Sequence, residues 1–346
     1  MTTKVTSLSI IIILSVFSFV TAPVLAQKRP VKAEQGMTGQ GGGDDTVAVG
    51  RKVHCLRTIY GVDDQGRPTL NDGLPKGIAL DEKGNLFVIF LDRTEVQVFS
   101  PDGAFLYRFG KKGKGEGAFL LPMSIEVADN GTVLVLDPEL AKVLAFSNSG
   151  KFQYEFRFSG VKGPKDKQPP RCIKMSLDHR NNTLYLSDSA NANIKLFGLK
   201  GNFLGLFPLD AKKAKPLAVP GKTAFDSKGN IYILDSVNGW VQVYNDRKEF
   251  QFSFGELGNR LGNFARPIAV SVNSEGDIYV LDRLLSVIQI FDSRGQVMGV
   301  IKDTDKIDGL NSTEPFDMTM DSQGVIYVGL QGLHCIKVLK DQEKRG

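Results

Sequence analysis

Residues 267–291 read Pro-Ile-Ala-Val-Ser-Val, then Asn-Ser-Glu-Gly, then Asp-Ile-Tyr-Val-Leu-Asp, Arg-Leu-Leu-Ser and Val-Ile-Gln-Ile-Phe. Two almost wholly apolar runs flank a turn, Asn273 to Gly276, made of residues that favour chain reversal. A third run, Val287 to Phe291, follows the next polar break, and Gln296 to Val300 forms a fourth after Asp292 to Gly295. Runs of five or six residues bounded by Gly, Asn, Asp and Ser read as short strands, and near-continuous apolar strands are those buried on both faces.

The same unit recurs along the chain. Its turn begins at Asp81, Ala128, Asp178, Asp226, Asn273 and Asp321, in steps of 47, 50, 48, 47 and 48 residues. A repeat at such a period is the signature of a closed or stacked array. Four short strands per unit, six units and no helical period predict an all-β fold: a six-bladed β-propeller of four-stranded antiparallel blades over residues 53–340. The sixth unit stops after its third run, Cys335 to Leu339, whereas an orphan run, His54 to Gly61, precedes the first. That run is similar to the fourth-strand ends at Phe109-Gly110 and Phe254-Gly255, so the N-terminal strand is expected to complete the last blade. Closure would leave no long open edge.

Composition agrees with this reading. The chain has 346 residues, 42% hydrophobic and 23% charged, with 37 glycines for its turns. It is neither collagen-like, coiled-coil nor polytopic. Met1 to Ala26 has the form of a cleaved signal peptide: Lys4 in the basic region, an apolar stretch from Leu8 to Val20, and Val24-Leu25-Ala26 before the cut. The apolar stretch is shorter than the ~20 residues of a membrane span. The expected product is secreted or periplasmic, without membrane insertion, and carries a Gly-rich tail over 27–50 and a short tail at 341–346.

The residues resemble the NHL-repeat propellers. Pro267-Ile268-Ala269-Val270, Gly276-Asp277-Ile278-Tyr279-Val280-Leu281-Asp282 and Ile288-Gln289-Ile290-Phe291 carry the likeness. WD-type repeats need a Trp-Asp pair per blade, which the lone Trp240 forbids. The resemblance implies a propeller and leaves the activity open, because such folds host many functions. Amidating lyases of similar fold place channel histidines on zinc, and related lactonases use channel Glu, Asn and Asp on calcium. Here His54, His179 and His334 fall outside the inner-strand columns, so no metal and no cofactor are expected. Bacterial relatives sometimes accompany multihaem cytochromes or envelope assemblies, but no Cys-x-x-Cys-His is present to hold haem.

Two places carry chemistry. The inner-strand columns are mostly small residues, interrupted by Glu126, Lys174, Lys222 and Asp317. These charges must be paired or hydrated: they form either two satisfied ion pairs in a wet channel or a site for a small polar or anionic ligand at its mouth. The interblade loops concentrate Lys111, Lys112 and Lys114; Lys162, Lys165, Lys167 and Arg171; Lys212, Lys213 and Lys215; and Arg260 and Arg266. Asp166 is among the few acids between them, and the sixth loop reverses the sign with Asp303, Asp305, Asp308 and Glu314. Trp240, Leu284, Leu285, Leu330 and Leu333 place large apolar groups on the same face. The expectation is an exported, non-catalytic, monomeric scaffold that binds an acidic protein or anionic glycan, not nucleic acid, through this face. A hydrolase or lyase at the channel mouth, or a small-anion sensor, is the alternative. Cys172 replaces the proline of five other blades, and alignment puts Cys335 opposite Ile59 and Cys55 opposite Leu339, out of reach of a disulfide unless the closing strand pairs in another register.

Overall fold

The computed structural model describes residues 49–50, 53–63, 65–67, 74–209, 213–301, 314–331 and 333–341. The signal-like segment and the tail up to residue 48 lie outside them, as do Lys212, Asp303, Asp305, Asp308 and residues 342–346. Each repeat begins with a turn built by its own side chains. Asp226 Oδ1 accepts the backbone N–H groups of Lys228 and Asn230 at 3.0 and 2.8 Å, and Asp81, Asn273 and Asp321 do the same in their blades. The residue three further on is a glycine at positive φ, between 72 and 89°, in five blades; in the other, Asn182, four residues after Asp178, takes a positive φ of 50°.

These turns join the inner strands Pro75–Leu80, Ser124–Val127, Cys172–Asp178, Pro220–Phe225, Pro267–Val272 and Pro315–Met320 to the second strands, which are buried along their whole length. Every blade is a four-stranded antiparallel sheet, ordered from inner to outer strand. The core is distributed between blades: six apolar clusters each join two neighbours, and one joins the last blade to the first. The expected closure is present. Val53–Tyr60 pairs antiparallel with Cys335–Asp341, and Ile59 and Val62 pack against Ile78, Phe316 and Val325. Val49–Gly50 pairs parallel with Val297–Ile301 on the outer edge of the fifth blade.

Three local devices bear on function. First, the Asp after the second strand is buried and gathers four backbone N–H groups. Asp282 takes those of Ala265, Arg266, Leu284 and Leu285, clamping the incoming interblade loop to the turn between second and third strands. Asp137 and Asp235 repeat this bracket. Second, five inner strands carry a register shift just after their first residue, which is proline in four of them. Proline has no N–H to continue the ladder, so a bulge forms there. Third, a bulge between Cys55 and Arg57 moves Cys335 opposite Tyr60, one position from the expected Ile59, while Cys55 faces Leu339; all three cysteines are free.

Candidate functional site

Inner strands run from the face of the interblade loops (the loop face) to the face of the first turns (the turn face). Their charged residues therefore lie at successive depths along the axis. Lys76, the residue in the bulge of the first blade, lies towards the loop face and feels Arg266 and Arg283. Lys174, Lys222 and Asp317 lie one step deeper, and Glu126 another step towards the turn face. Of the two ion pairs that the sequence allows, one forms. Lys222 Nζ is 3.4 Å from Asp317 Oδ1 and donates to the Met318 carbonyl at 3.0 Å. Asp317 also accepts the Ile78 N–H at 3.3 Å, linking the last blade to the first. Lys174 and Glu126 make no hydrogen bond or ion pair among the described residues, which corrects the two-pair reading: their side chains do not reach one another.

The electrostatics follow from this arrangement. Burial opposes charge on Asp317, but Lys174, Lys222 and the two N–H donors outweigh it and hold the carboxyl below its usual range. Burial also opposes charge on Lys222, but Asp317 and Glu126 overcome it and keep the ammonium well protonated. Lys76 is pushed down by burial and by repulsion from Lys174 and Arg283. Burial raises the Glu126 carboxyl to about 7, against the pull of Lys222, His179 and Lys174.

Glu126 and Lys222 face a cavity of about 450 Å3 that opens on the turn face. Ser176, Thr223, Ser271 and Thr319 share its wall, and His179 and Arg180 stand at its rim. His179 Nδ1 lies 2.5 Å from Asp129 Oδ1 on the neighbouring blade. Lys76 was missed in the sequence because it falls outside the two inner-strand columns read as lining the channel; it sits in the bulge after Pro75, near enough to Lys174 to be repelled by it. Among the described residues no three His, Cys, Asp or Glu side chains converge as a metal site.

Most described lysines of the loop face are exposed. Lys111, Lys112, Lys114, Lys162, Lys165, Lys167, Lys213 and Lys215 are all exposed, and none forms an ion pair among the described residues; Arg171 is exposed as well. The face has fewer free acids than the sequence implies. Asp166 is not a surface charge: its carboxylate is 1% exposed, 2.5 Å from the fully buried Lys195 ammonium, which also touches Asp188 at 3.2 Å. Glu314 pairs with Arg283.

Between the loops that follow the second and third blades lies an apolar groove of about 480 Å3, floored by Leu206, Phe207, Ala214 and Leu217 and edged by Lys165 and Lys215. The expected apolar residues divide. Leu284 is 69% exposed, whereas Leu330 is fully buried in the core between the last two blades, and Leu285 and Leu333 are half-buried. Trp240 is half-buried too, with Lys215 Nζ 4.6 Å above its ring. Val237, Leu257 and Leu261, which sit in turns of this face, are exposed instead. Polar neighbours in the sequence concealed them.

Fold and site together define a six-bladed β-propeller with a charged axial channel and a basic loop face. A family model described as a 6-bladed beta-propeller matches residues 79–163. No curated protein is similar in sequence to this chain. Among solved structures, a catalytically inactive virginiamycin B lyase from Staphylococcus aureus bound to quinupristin superposes with a TM-score of 0.57 at 12% identity, over 84% of this chain and 99% of the lyase. A streptogramin B lyase does so at 0.56 and 14%, over 81% and 85% of the two chains. The WD40 propeller domain of Doa1 gives 0.52 and 16%, over 79% and 81%. At these identities the likeness is one of fold.

Proposed function

We propose that this chain is an exported, non-catalytic binding propeller whose loop face docks an acidic segment of another exported protein. The observation that carries this reading is the apolar groove edged by Lys165 and Lys215 within an arc of eight unpaired lysines. An exposed apolar surface rimmed by one sign of charge fits an acidic protein with an apolar anchor better than a glycan, which has no such side chain to insert. An envelope or multihaem assembly is the class of partner that the NHL-like sequence implies, and export rests on the Met1–Ala26 leader. The test is fluorescence anisotropy with a Glu-rich peptide bearing one Phe, beside the same peptide with Ala for Phe. Binding that weakens with salt, with loss of Phe and in the Lys112→Glu, Lys165→Glu, Lys215→Glu variant supports the reading. Equal signals for wild type and variant, or no dependence on Phe, overturn it.

One observation favours a second reading, chemistry at the turn face. A carboxyl held at about 7 beside His179 in a polar cavity suits general acid–base work near neutral pH. A lactone and ester panel tests it, and activity that survives both Glu126→Gln and Asp317→Asn removes these residues from the reaction.

A further inference from the structure

The axial channel holds more positive charge than it neutralises. Lys76, Lys174 and Lys222 bring three ammonium groups to the inner strands of three blades, and one carboxylate, Asp317, is committed among them. Lys222 is satisfied by Asp317 and the Met318 carbonyl. Lys76 and Lys174 have no hydrogen-bond or ion-pair partner among the described residues, although each is half-buried and each repels the other. Arg266 and Arg283 add to that repulsion from the loop face. An enclosed cation normally has a counter-charge, because removal from water is costly without one. Asp317 attracts both through space and Glu126 attracts Lys174, but neither touches them: one carboxylate already bonded to Lys222 and one raised to about 7 leave the three ammonium groups short of counter-charge.

The remaining polar groups are arranged around open space. Glu126 lines the 450 Å3 cavity without a hydrogen-bond partner among the described residues, beside Lys222, Ser271, Thr319 and Ser176, whose hydroxyl accepts the Thr223 N–H; Lys174 and Lys76 lie beyond this lining, towards the loop face. Near neutrality burial keeps a large share of Glu126 protonated, so it is able to donate a hydrogen bond instead of repelling an anion. The volume is that of a small-molecule site, and the hydroxyls suit a polar ligand rather than an apolar one.

We propose that the channel is a receptor site for a small ligand with an oxyanion head, carboxylate or phosphoryl, seated beside Lys174 and Lys76, whose polar body lies in the cavity against Glu126, Ser176, Ser271 and Thr319. The site is reached from the turn face, opposite the basic loop face, and does not depend on the macromolecular partner proposed above.

Titration calorimetry on the full chain with malonate and with inorganic phosphate, at constant ionic strength and pH 6.5, tests this. The expected result is saturable one-to-one binding of at least one probe, weakened tenfold or more in Lys174→Met and in Lys76→Met and unchanged in the loop-face variant Lys112→Met. Malonate binding alone identifies a carboxylate head, and phosphate binding alone a phosphoryl head. If Lys174→Met fails to fold, retained binding in Lys174→Arg together with loss in Lys76→Met carries the same support. No saturable binding of either probe, or equal binding in wild type and Lys76→Met, overturns the proposal.

Discussion

Replacing Lys195 with methionine isolates the force that holds the basic loop face in place. The Lys195 side chain is fully buried and its ammonium lies 2.5 Å from Asp166 and 3.2 Å from Asp188. Asp166 also takes the Gly163 N–H at 2.8 Å, so this one cation anchors the loop that carries Lys162, Lys165, Lys167 and Arg171. Methionine keeps the length and apolar stem but leaves two buried carboxylates facing each other. Their repulsion at ~5 Å and an effective dielectric constant of ~20 is about 3 kcal/mol. Loss of one partner from a buried ion pair costs 3–5 kcal/mol in general. The expected loss is therefore about 4 kcal/mol, roughly 6 °C in Tm for a domain of this size. Asp188 keeps its N–H donors from Arg171 and Ala190, so the double variant Lys195→Met, Asp166→Leu should recover about half of the loss. Lys195 helps hold the Asp166 carboxyl below its usual range, so without that cation Asp166 takes up its proton more readily and the deficit should shrink as pH falls towards 5. Urea unfolding of wild type, single and double variants at pH 7.5 and pH 5 measures all three quantities. A loss below about 1 kcal/mol, or a double variant no better than the single one, refutes the account.

Glu126→Gln should match wild type at pH 4 and exceed it at pH 8. The wild-type carboxyl, raised to about 7 when folded, contributes nothing adverse below its unfolded value but costs stability as pH rises through that window, up to roughly 3 kcal/mol. Paired urea curves at the two pH values check this, and a constant offset between the proteins contradicts it. Gly329→Ala should destabilise by about 2 kcal/mol, since a Cβ there would meet Phe316 Cζ at 2.0 Å against a packed core; a double change with Phe316→Leu should restore most of the loss in a thermal melt. Native alkylation should label Cys55 alone, because Cys172 and Cys335 are buried and burial raises both thiols, that of Cys335 to about 11. Mass spectrometry showing one adduct native and three after denaturation is the expected outcome; two or more native adducts contradict it.

The architecture was legible because each of its determinants is local. Asp or Asn at the turn, Gly three residues on and unbroken apolar second strands depend on neighbours within one blade, and the truncated sixth unit with its orphan N-terminal run forecast the closure. Exposure on the loop face was legible for the lysines, whose charge requires water almost anywhere. It failed for Leu330 and Asp166, because burial there depends on the neighbouring strand or loop. Leu330 occupies a slot where Asp137, Asp235 and Asp282 bracket other loops. Its apolar side chain cannot gather N–H groups and joins the core instead.

The channel shows the division most plainly. The sequence alone determined that Lys174, Lys222 and Asp317 share one column near the axis and Glu126 the next, because the strand period and the 48-residue repeat fix their depth. Which of them touch was decided only by the closed ring, which sets the angle and distance between blades far apart in the chain: Lys222 meets Asp317 across 95 residues, whereas Lys174 and Glu126 stay apart. Lys76, in the bulge after Pro75, sits near enough to Lys174 to be repelled by it. Pairing and repulsion depend on distances of a few ångströms between strands, and a one-dimensional repeat does not contain them.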